Sequence, residues 1–214
     1  MAEPFDQGDF KAAASLPEIT LEMYYQLAED VSKQIEVVDG SMIRCASPSY
    51  SHQTIQHNLV SLVRDAAKDS DRRDRSCHRV AGDYDVLISD GPTFHFRRPD
   101  VVLFRCIDYD RGKWERKPYA SDCVLVIEVV SRESVTQDLR DKRAEYAAAG
   151  IPNYWIVRMA NNDGPAISVD RFLLTTDGSY TSAGLTVRGR DFYAVDVFDP
   201  FRLKITWDQL DDGL

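Results

Sequence analysis

The sequence predicts a mixed α/β or α+β domain in which helices flank one central sheet. Apolar residues recur with helical spacing in two long segments, and short apolar runs separated by turn residues indicate several strands. One of these runs, Cys123 to Val130, is almost wholly apolar, which is typical of a central strand covered on both faces. We expect residues 1–19 to form a flexible tail and residues 20–214 to form a single domain.

The N-terminal part predicts one helix and one β-hairpin. A helix beginning near Thr20 would have its apolar positions at Met23, Leu27 and Val31. The dipeptide Asp39-Gly40 then separates two alternating apolar runs, 34–38 and 41–46. Asp and Gly tolerate the positive φ of a tight primed turn, so this pattern predicts a hairpin.

The second predicted helix follows Ser49 and Ser51, either of which can cap its N-terminus. Its apolar positions are Ile55, Leu59, Leu62, Val63 and Ala66. The charged stretch 68–79 is interpreted as the end of this helix and a loop. Strands are then predicted around 84–88, 94–96, 97–106 and 121–130.

The best-defined helix is predicted from a capping box at Ser134 to Gln137 and runs to Ala149, before Gly150 and Pro152. Four further strand patterns, 153–159, 166–174, 179–187 and 194–205, follow it. The order of elements is therefore helix, hairpin, helix, strands, helix and strands.

Composition excludes several classes of protein. With 26 Lys and Arg against 35 Asp and Glu, the formal net charge is −9, which by itself disfavours a nucleic-acid partner. Residues 64–143 are nearly balanced, however, with 17 basic and 16 acidic residues. No apolar run is long enough for a membrane span, and the first residues lack a signal-peptide pattern, so we expect a cytoplasmic protein without a membrane partner. The four cysteines show no C-x-x-C spacing and are expected to be buried, reduced thiols.

Glu128 is the first residue that indicates a functional site, because it shares one face of an apolar strand with valines. An isolated carboxylate there would cost several kcal/mol, so it needs a partner. Asp100 begins the preceding strand and would lie beside Glu128 if the two strands pair antiparallel. Two converging carboxylates repel unless a proton, a basic residue or a divalent cation compensates them.

The following helix can supply the basic residue. Asp138, Lys142 and Tyr146 are spaced i, i+4 and i+8, which places Lys142 at the edge of the buried face and within reach of the carboxylates. Two acidic residues holding Mg²⁺ or Mn²⁺, with a lysine nearby, are the minimum needed to hydrolyse a phosphodiester.

An ordered set of motifs resembles the bacterial Uma2 family of predicted restriction endonucleases, within the PD-(D/E)XK nuclease superfamily. These are 35–40, Ser51-His52-Gln53, Pro99-Asp100-Val101-Val102, Ile127-Glu128-Val129-Val130-Ser131, Asp138-x3-Lys142-x3-Tyr146-x3-Gly150, Tyr154-Trp155-Ile156-Val157 and Phe198-Asp199-Pro200-Phe201. The resemblance implies a restriction-endonuclease-like α/β core, a Mg²⁺-dependent site, and Asp100, Glu128 and Val129 as metal ligands. It also implies a nucleic-acid substrate, with DNA expected, and a homodimer as the assembly that cuts both strands.

The chain departs from the superfamily pattern at Val130, where the superfamily places its lysine. We interpret Lys142 as the lysine that has migrated to the helix. The alternative is a non-catalytic nuclease-fold protein that binds nucleic acid or a protein partner.

Further candidate residues are less directly supported by the sequence. Additional site residues are Glu36, His52, Gln53 and Asp138. Cations with an interleaved aromatic suit a nucleic-acid backbone and a base face, and these candidate contacts are Arg97, Arg98, Lys113, Trp114, Arg116 and Lys117.

Overall fold

The structure is a computed structural model that describes residues 18–91, 93–108, 117–131 and 136–214. For residues 136–138 it describes the backbone and not the side chains. The expected tail up to residue 17, the capping box at Ser134 and the side chain of Asp138 therefore lie outside the described part. So do three of the candidate nucleic-acid contacts, Lys113, Trp114 and Arg116. The chain divides into two units, one made of Met1–Cys45 with Ser89–His95 and one of Ala46–Ile88 with Phe96–Leu214.

The smaller unit contains the predicted hairpin. Its elements are α1 (Leu21–Gln26), α2 (Glu29–Ser32), β1 (Ile35–Val38) and β2 (Ser41–Arg44). Asp39 and Gly40 connect the strands with φ of 47° and 76°, as the Asp-Gly signal predicted.

The continuous helix predicted to include Val31 is wrong in its extent. The backbone becomes extended at Leu27, which separates α1 from α2, and the expected apolar stripe is exposed at Met23 and Val31. Tyr24 is the buried residue of α1, and its ring packs 5.6 Å from that of Phe94.

The larger unit is built on a six-stranded mixed sheet in the order β10-β9-β8-β7-β6-β3. Its strands are β3 (His78–Gly82), β6 (Val101–Arg105), β7 (Cys123–Val130), β8 (Asn153–Met159), β9 (Ala166–Leu174) and β10 (Tyr180–Val187), while β4 (Val86–Ser89) and β5 (His95–Arg97) lie between β3 and β6 in sequence. As predicted, β7 is buried at every position; it pairs antiparallel with β6 and parallel with β8.

Helices cover both faces of this sheet, which confirms the predicted mixed α/β class. On one face, Ile55 and Leu59 of α3 (Tyr50–Asp74) share a core cluster with Ile127 of β7. On the other face, Tyr146 of α4 (Thr136–Ala148) shares a second cluster with Val126. Adjacent residues of β7 thus point to opposite faces, as in any strand. Among the described residues, no helix has the length and apolarity needed to cross a membrane.

Some elements differ from the prediction. Strand β3 falls partly in the charged stretch interpreted as a loop, and only Val80 is buried within it, so its apolar signal is weak. The last predicted strand is two strands, β11 (Tyr193–Val197) and β12 (Leu203–Thr206), which pair antiparallel. A short helix, α5 (Trp207–Leu210), follows with a capping box between Thr206 and Gln209.

The expectation of four reduced cysteines is wrong, because Cys77 and Cys106 form a disulfide. Strands β3 and β6 pair antiparallel with His78 opposite Arg105, so the two cysteines just beyond that pair face each other with Cα atoms 5.3 Å apart. The two cysteines are 29 residues apart in the sequence, a spacing that does not predict a disulfide. Cys45 and Cys123 are not disulfide-bonded, and Cys123 is buried as expected.

Candidate functional site

Asp100 and Glu128 are brought together by the pairing of β6 with β7. Val101 lies opposite Ile127, which places Asp100 at the level of Glu128 on the neighbouring strand. Asp100 Oδ2 accepts a 2.6 Å hydrogen bond from the backbone N–H of Val129. The Asp100 side chain therefore reaches the residue directly after Glu128.

Glu128 is buried, and α4 supplies its partners. Lys142 Nζ donates to Glu128 Oε2 at 3.2 Å, and Tyr146 Oη donates to Glu128 Oε1 at 2.9 Å. Residues four apart on a helix lie on one face, so both groups approach the carboxylate from the same side. The cation and the hydroxyl offset the cost of burying the carboxylate charge.

Tyr146 is a site residue that the sequence reasoning placed in a motif but gave no role. Its side chain is fully buried, and its hydroxyl holds one oxygen of Glu128. The available signal was its spacing of four residues from Lys142, which requires the two side chains to share a face.

Replacing Tyr146 by Phe tests this contact. We expect Tyr146→Phe to lower the free energy of unfolding by about 1–3 kcal/mol, because a buried hydrogen bond to a charged group is lost with little change of shape. Urea denaturation measures the change, and Tyr193→Phe, on a half-buried ring outside this site, is the control. Equal stability of the two variants would contradict the assigned contact.

His52 also contacts Asp100, from the first turn of α3. Its Nε2 lies 3.3 Å from Asp100 Oδ1, and its buried Nδ1 has no hydrogen-bond partner among the described residues. Burial lowers the pKa of His52, but the hydrogen bond to Asp100 and the negative charge of Asp100 outweigh burial, so the pKa is raised above its ordinary value. The serine cap at Ser49, which accepts from the His52 backbone N–H, fixes the start of the helix.

Val129 presents its main chain to this site. Within a strand, the N–H and the C=O of one residue point to the same side. Because the Val129 N–H bonds to Asp100, its carbonyl oxygen also faces that side. Two carboxylates and a main-chain carbonyl are the oxygen ligands that Mg²⁺ prefers.

The ligand atoms in this set are all oxygens, the type of ligand that a divalent ion such as Mg²⁺ binds. Each carboxylate oxygen can accept more than one interaction, so the contacts to Lys142 and Tyr146 leave acceptor capacity. Within the described ranges, no group of three or more His, Cys, Asp or Glu side chains is close enough to hold a metal. The remaining ligands of an ion held here would therefore be the main chain, water or substrate oxygens.

Arg97 does not face outward, contrary to its expectation as a nucleic-acid contact. It is 2% exposed, and its guanidinium donates from Nε and a terminal nitrogen to both carboxylate oxygens of Glu145 on α4, at 2.6 and 2.7 Å. This bidentate pair attaches β5 to the helix that carries Lys142 and Tyr146. We assign Arg97 to the anchoring of α4.

Arg98 and Lys117 both contact the buried carboxylate of Asp85. Their side chains are 10% and 27% exposed, so Lys117 retains the larger accessible surface.

The other predicted site residues lie in different places. Glu36 is buried on β1, in the smaller unit, where it is paired in register with Ile43. Gln53 is exposed on α3. Asp138 is the third residue of α4, and its side chain is outside the described part.

An open cleft of about 610 Å³ adjoins Asp100 on the α3 side. It is lined by the first three turns of α3, by Gly82 at the end of β3 and the following Asp83, and by Asp212 and Gly213 near the C-terminus. The Gln56 side-chain amide, in its wall, donates to the main-chain oxygen of Asp100 at 2.9 Å. The walls of this cleft are far apart in the chain, so no sequence pattern predicted it.

A central mixed sheet between helices, with two carboxylates on neighbouring strands and a lysine and a tyrosine on the helix that covers one of them, is the arrangement of a restriction-endonuclease-like protein. The chain belongs to the Uma2 family, described as "Putative restriction endonuclease", whose family model matches residues 21–205. This confirms the family that the motifs indicated.

Comparison with solved structures supports the same fold. A crystal structure described as "a putative nuclease belonging to DUF820 from Anabaena variabilis ATCC 29413" superposes with a TM-score of 0.62. The sequences are 17% identical, and the alignment covers 90% of this chain and 97% of that chain. No curated protein matches the sequence.

Proposed function

We propose that this protein is a Mg²⁺-dependent endonuclease, with Mn²⁺ as a substitute, that hydrolyses phosphodiester bonds in nucleic acid, with DNA as the substrate. The observation that supports this most is the contact of Lys142 Nζ with Glu128 Oε2 at 3.2 Å, beside Asp100 on the neighbouring strand. The family assignment, to restriction-endonuclease-like proteins, supports the same reaction.

The metal would be held by the carboxylates of Asp100 and Glu128 and by the main-chain carbonyl of Val129. When bound, a divalent ion lowers the pKa of a coordinated water and neutralises charge that develops on the phosphate. The hydrogen bond from Val129 N–H orients the Asp100 carboxylate, and the hydroxyl of Tyr146 orients that of Glu128. These second contacts fix the direction of the ligand oxygens.

Lys142 takes the role of the lysine that the superfamily pattern places two residues after the acid. That position is Val130, a buried residue in the cluster under α4. The Lys142 ammonium approaches Glu128 from the helix instead, where it would stabilise negative charge on the phosphate or hold the attacking water.

The remaining candidates are proposed for supporting roles. His52 holds Asp100, and Gln53, Glu36 and Asp138 stay proposals as additional site residues. Arg98 and Lys117, whose side chains both reach Asp85, are proposed to contact the nucleic-acid backbone. We also propose a homodimer, the assembly that would cut both strands, and a cytoplasmic location.

The test is cleavage of plasmid and single-stranded DNA in Mg²⁺ or Mn²⁺. We expect cleavage by the unmodified protein, none in the presence of a chelator, and none by Asp100→Ala, because that variant loses a metal ligand. A protein that cuts no substrate in either metal would contradict the proposal. Unchanged cleavage by Asp100→Ala would contradict the assigned site.

A non-catalytic nuclease-fold protein is the second candidate, and Val130 at the usual lysine position favours it. Titration calorimetry separates the two functions. An active site of the proposed kind gives Mg²⁺ or Mn²⁺ binding heat that Asp100→Ala abolishes, whereas a binding module without the site gives none.

A further inference from the structure

Two residues that line the cleft beside Asp100, Gln56 and Asp83, donate hydrogen bonds to the Asp100 main-chain oxygen. The floor of the cleft contains Gly82, where an added Cβ would lie 3.3 Å from the Asp100 carbonyl oxygen and 3.2 Å from Val60 Cγ2. The backbone N–H of Asp83 donates to the same Asp100 oxygen at 3.3 Å. A molecule bound in the cleft therefore lies next to the main chain of a proposed metal ligand.

The side chains that line this cleft select against phosphate. Among the described lining residues, Asp83 and Asp212 bear formal charge, and both are acidic and exposed. An anionic phosphate would be repelled by them. An amide and an imidazole, those of Gln53 and His57, lie in the remaining wall. This combination of amide, imidazole and carboxylate groups suits the ring nitrogens and amino groups at the edge of a nucleobase.

Tyr50 supplies an aromatic face at the rim of the cleft. It is 68% exposed, yet its hydroxyl donates to the Gly213 carbonyl oxygen at 2.9 Å, which holds the ring in place. An exposed ring that is already fixed can stack on a base with little further loss of conformational freedom.

We propose that this cleft binds one unpaired nucleobase of the substrate, stacked on Tyr50 and read at its edge by Gln53 and Asp83, beside the phosphate to be cut. The proposal rests on the proposed nuclease function and adds to it a substrate class, single-stranded or locally unpaired nucleic acid. A base in a paired duplex could not enter the cleft without leaving its stack.

The experiment measures binding of a short fluorescein-labelled single-stranded DNA by fluorescence anisotropy, without metal and therefore without cleavage. We expect Tyr50→Ala to raise the Kd about tenfold, as the loss of one base-stacking contact does. Tyr50→Phe keeps the ring and should bind within about twofold of the unmodified protein. Phe192→Ala removes another exposed ring, 80% accessible, that lies outside the cleft, and should leave the Kd unchanged.

The same oligonucleotides with single abasic positions identify the base that is bound. One abasic position should raise the Kd for the unmodified protein about tenfold and cause no further loss in Tyr50→Ala, because both changes remove the same contact. Tyr50→Ala that binds like the unmodified protein, or an equal loss in Phe192→Ala, would overturn the base-binding cleft even if the protein cuts DNA. An unmodified protein that neither binds nor cuts any nucleic acid would overturn the nuclease function together with it.

Discussion

Glu128→Gln is expected to lower the rate of phosphodiester cleavage by about a thousandfold or more. The amide keeps the shape of the side chain and its oxygen can still accept from Tyr146 or Lys142, but the negative charge that would hold a divalent ion is lost. The substitution thus separates charge from packing at the more buried of the two carboxylates. Plasmid cleavage under saturating Mg²⁺ or Mn²⁺ gives the rate.

Two controls test whether a lower rate is specific to Glu128 and whether the variant stays folded. Asp163→Asn removes an exposed carboxylate elsewhere in the larger unit and should leave the rate unchanged. Circular dichroism and urea denaturation of Glu128→Gln show whether the fold is kept, since Lys142 loses the charge of its partner. A folded Glu128→Gln protein that cuts DNA at the normal rate would remove Glu128 from the proposed metal site.

Asp100 and Glu128 were predictable as neighbours because the burial of a carboxylate and the pairing of consecutive strands follow local rules. A carboxylate among valines on an almost wholly apolar strand requires a partner, and antiparallel pairing of consecutive strands specifies where that partner begins. Helical spacing then places Lys142 on the side facing the sheet. The structure has the geometry that these rules predict, with Lys142 at 3.2 Å from Glu128.

Features that depend on tertiary neighbours were not predictable in this way. Strand β3 has one buried residue, so its position follows from pairing with β6 and not from its own pattern. The disulfide of Cys77 with Cys106 is a consequence of that same pairing. The cleft beside Asp100 joins a helix start to the C-terminal residues, which no periodicity in the sequence connects.

Arg97 shows most clearly how a sequence motif can mislead. Two consecutive arginines before a loop with further cations are typical of a nucleic-acid contact. Alternation along the strand, however, points neighbouring side chains in opposite directions. Arg97 is directed to Glu145 and Arg98 to Asp85, so adjacent residues serve two separate ion pairs.

Arg97→Met is expected to lower the free energy of unfolding by about 3–5 kcal/mol, the usual cost of removing one partner of a buried ion pair. The Glu145 side chain is 19% exposed, so partial solvation places the expected value at the lower end of that range. Met fills much of the volume of the Arg stem, which limits the contribution of a cavity. Urea denaturation followed by circular dichroism measures the change.

The matched control is Arg158→Met, because Arg158 pairs with Asp170 while 43% of its side chain is exposed. An exposed pair of this kind contributes about 0–1 kcal/mol, so Arg158→Met should be close to neutral. Adding Glu145→Leu to Arg97→Met should recover part of the lost stability, since no buried charge then remains in that pair. If Arg97→Met unfolds at the same urea concentration as Arg158→Met, the pair does not anchor α4. If instead Arg97→Met is destabilised and also cuts DNA more slowly at temperatures where it stays folded, the position of Lys142 on α4 depends on this anchor.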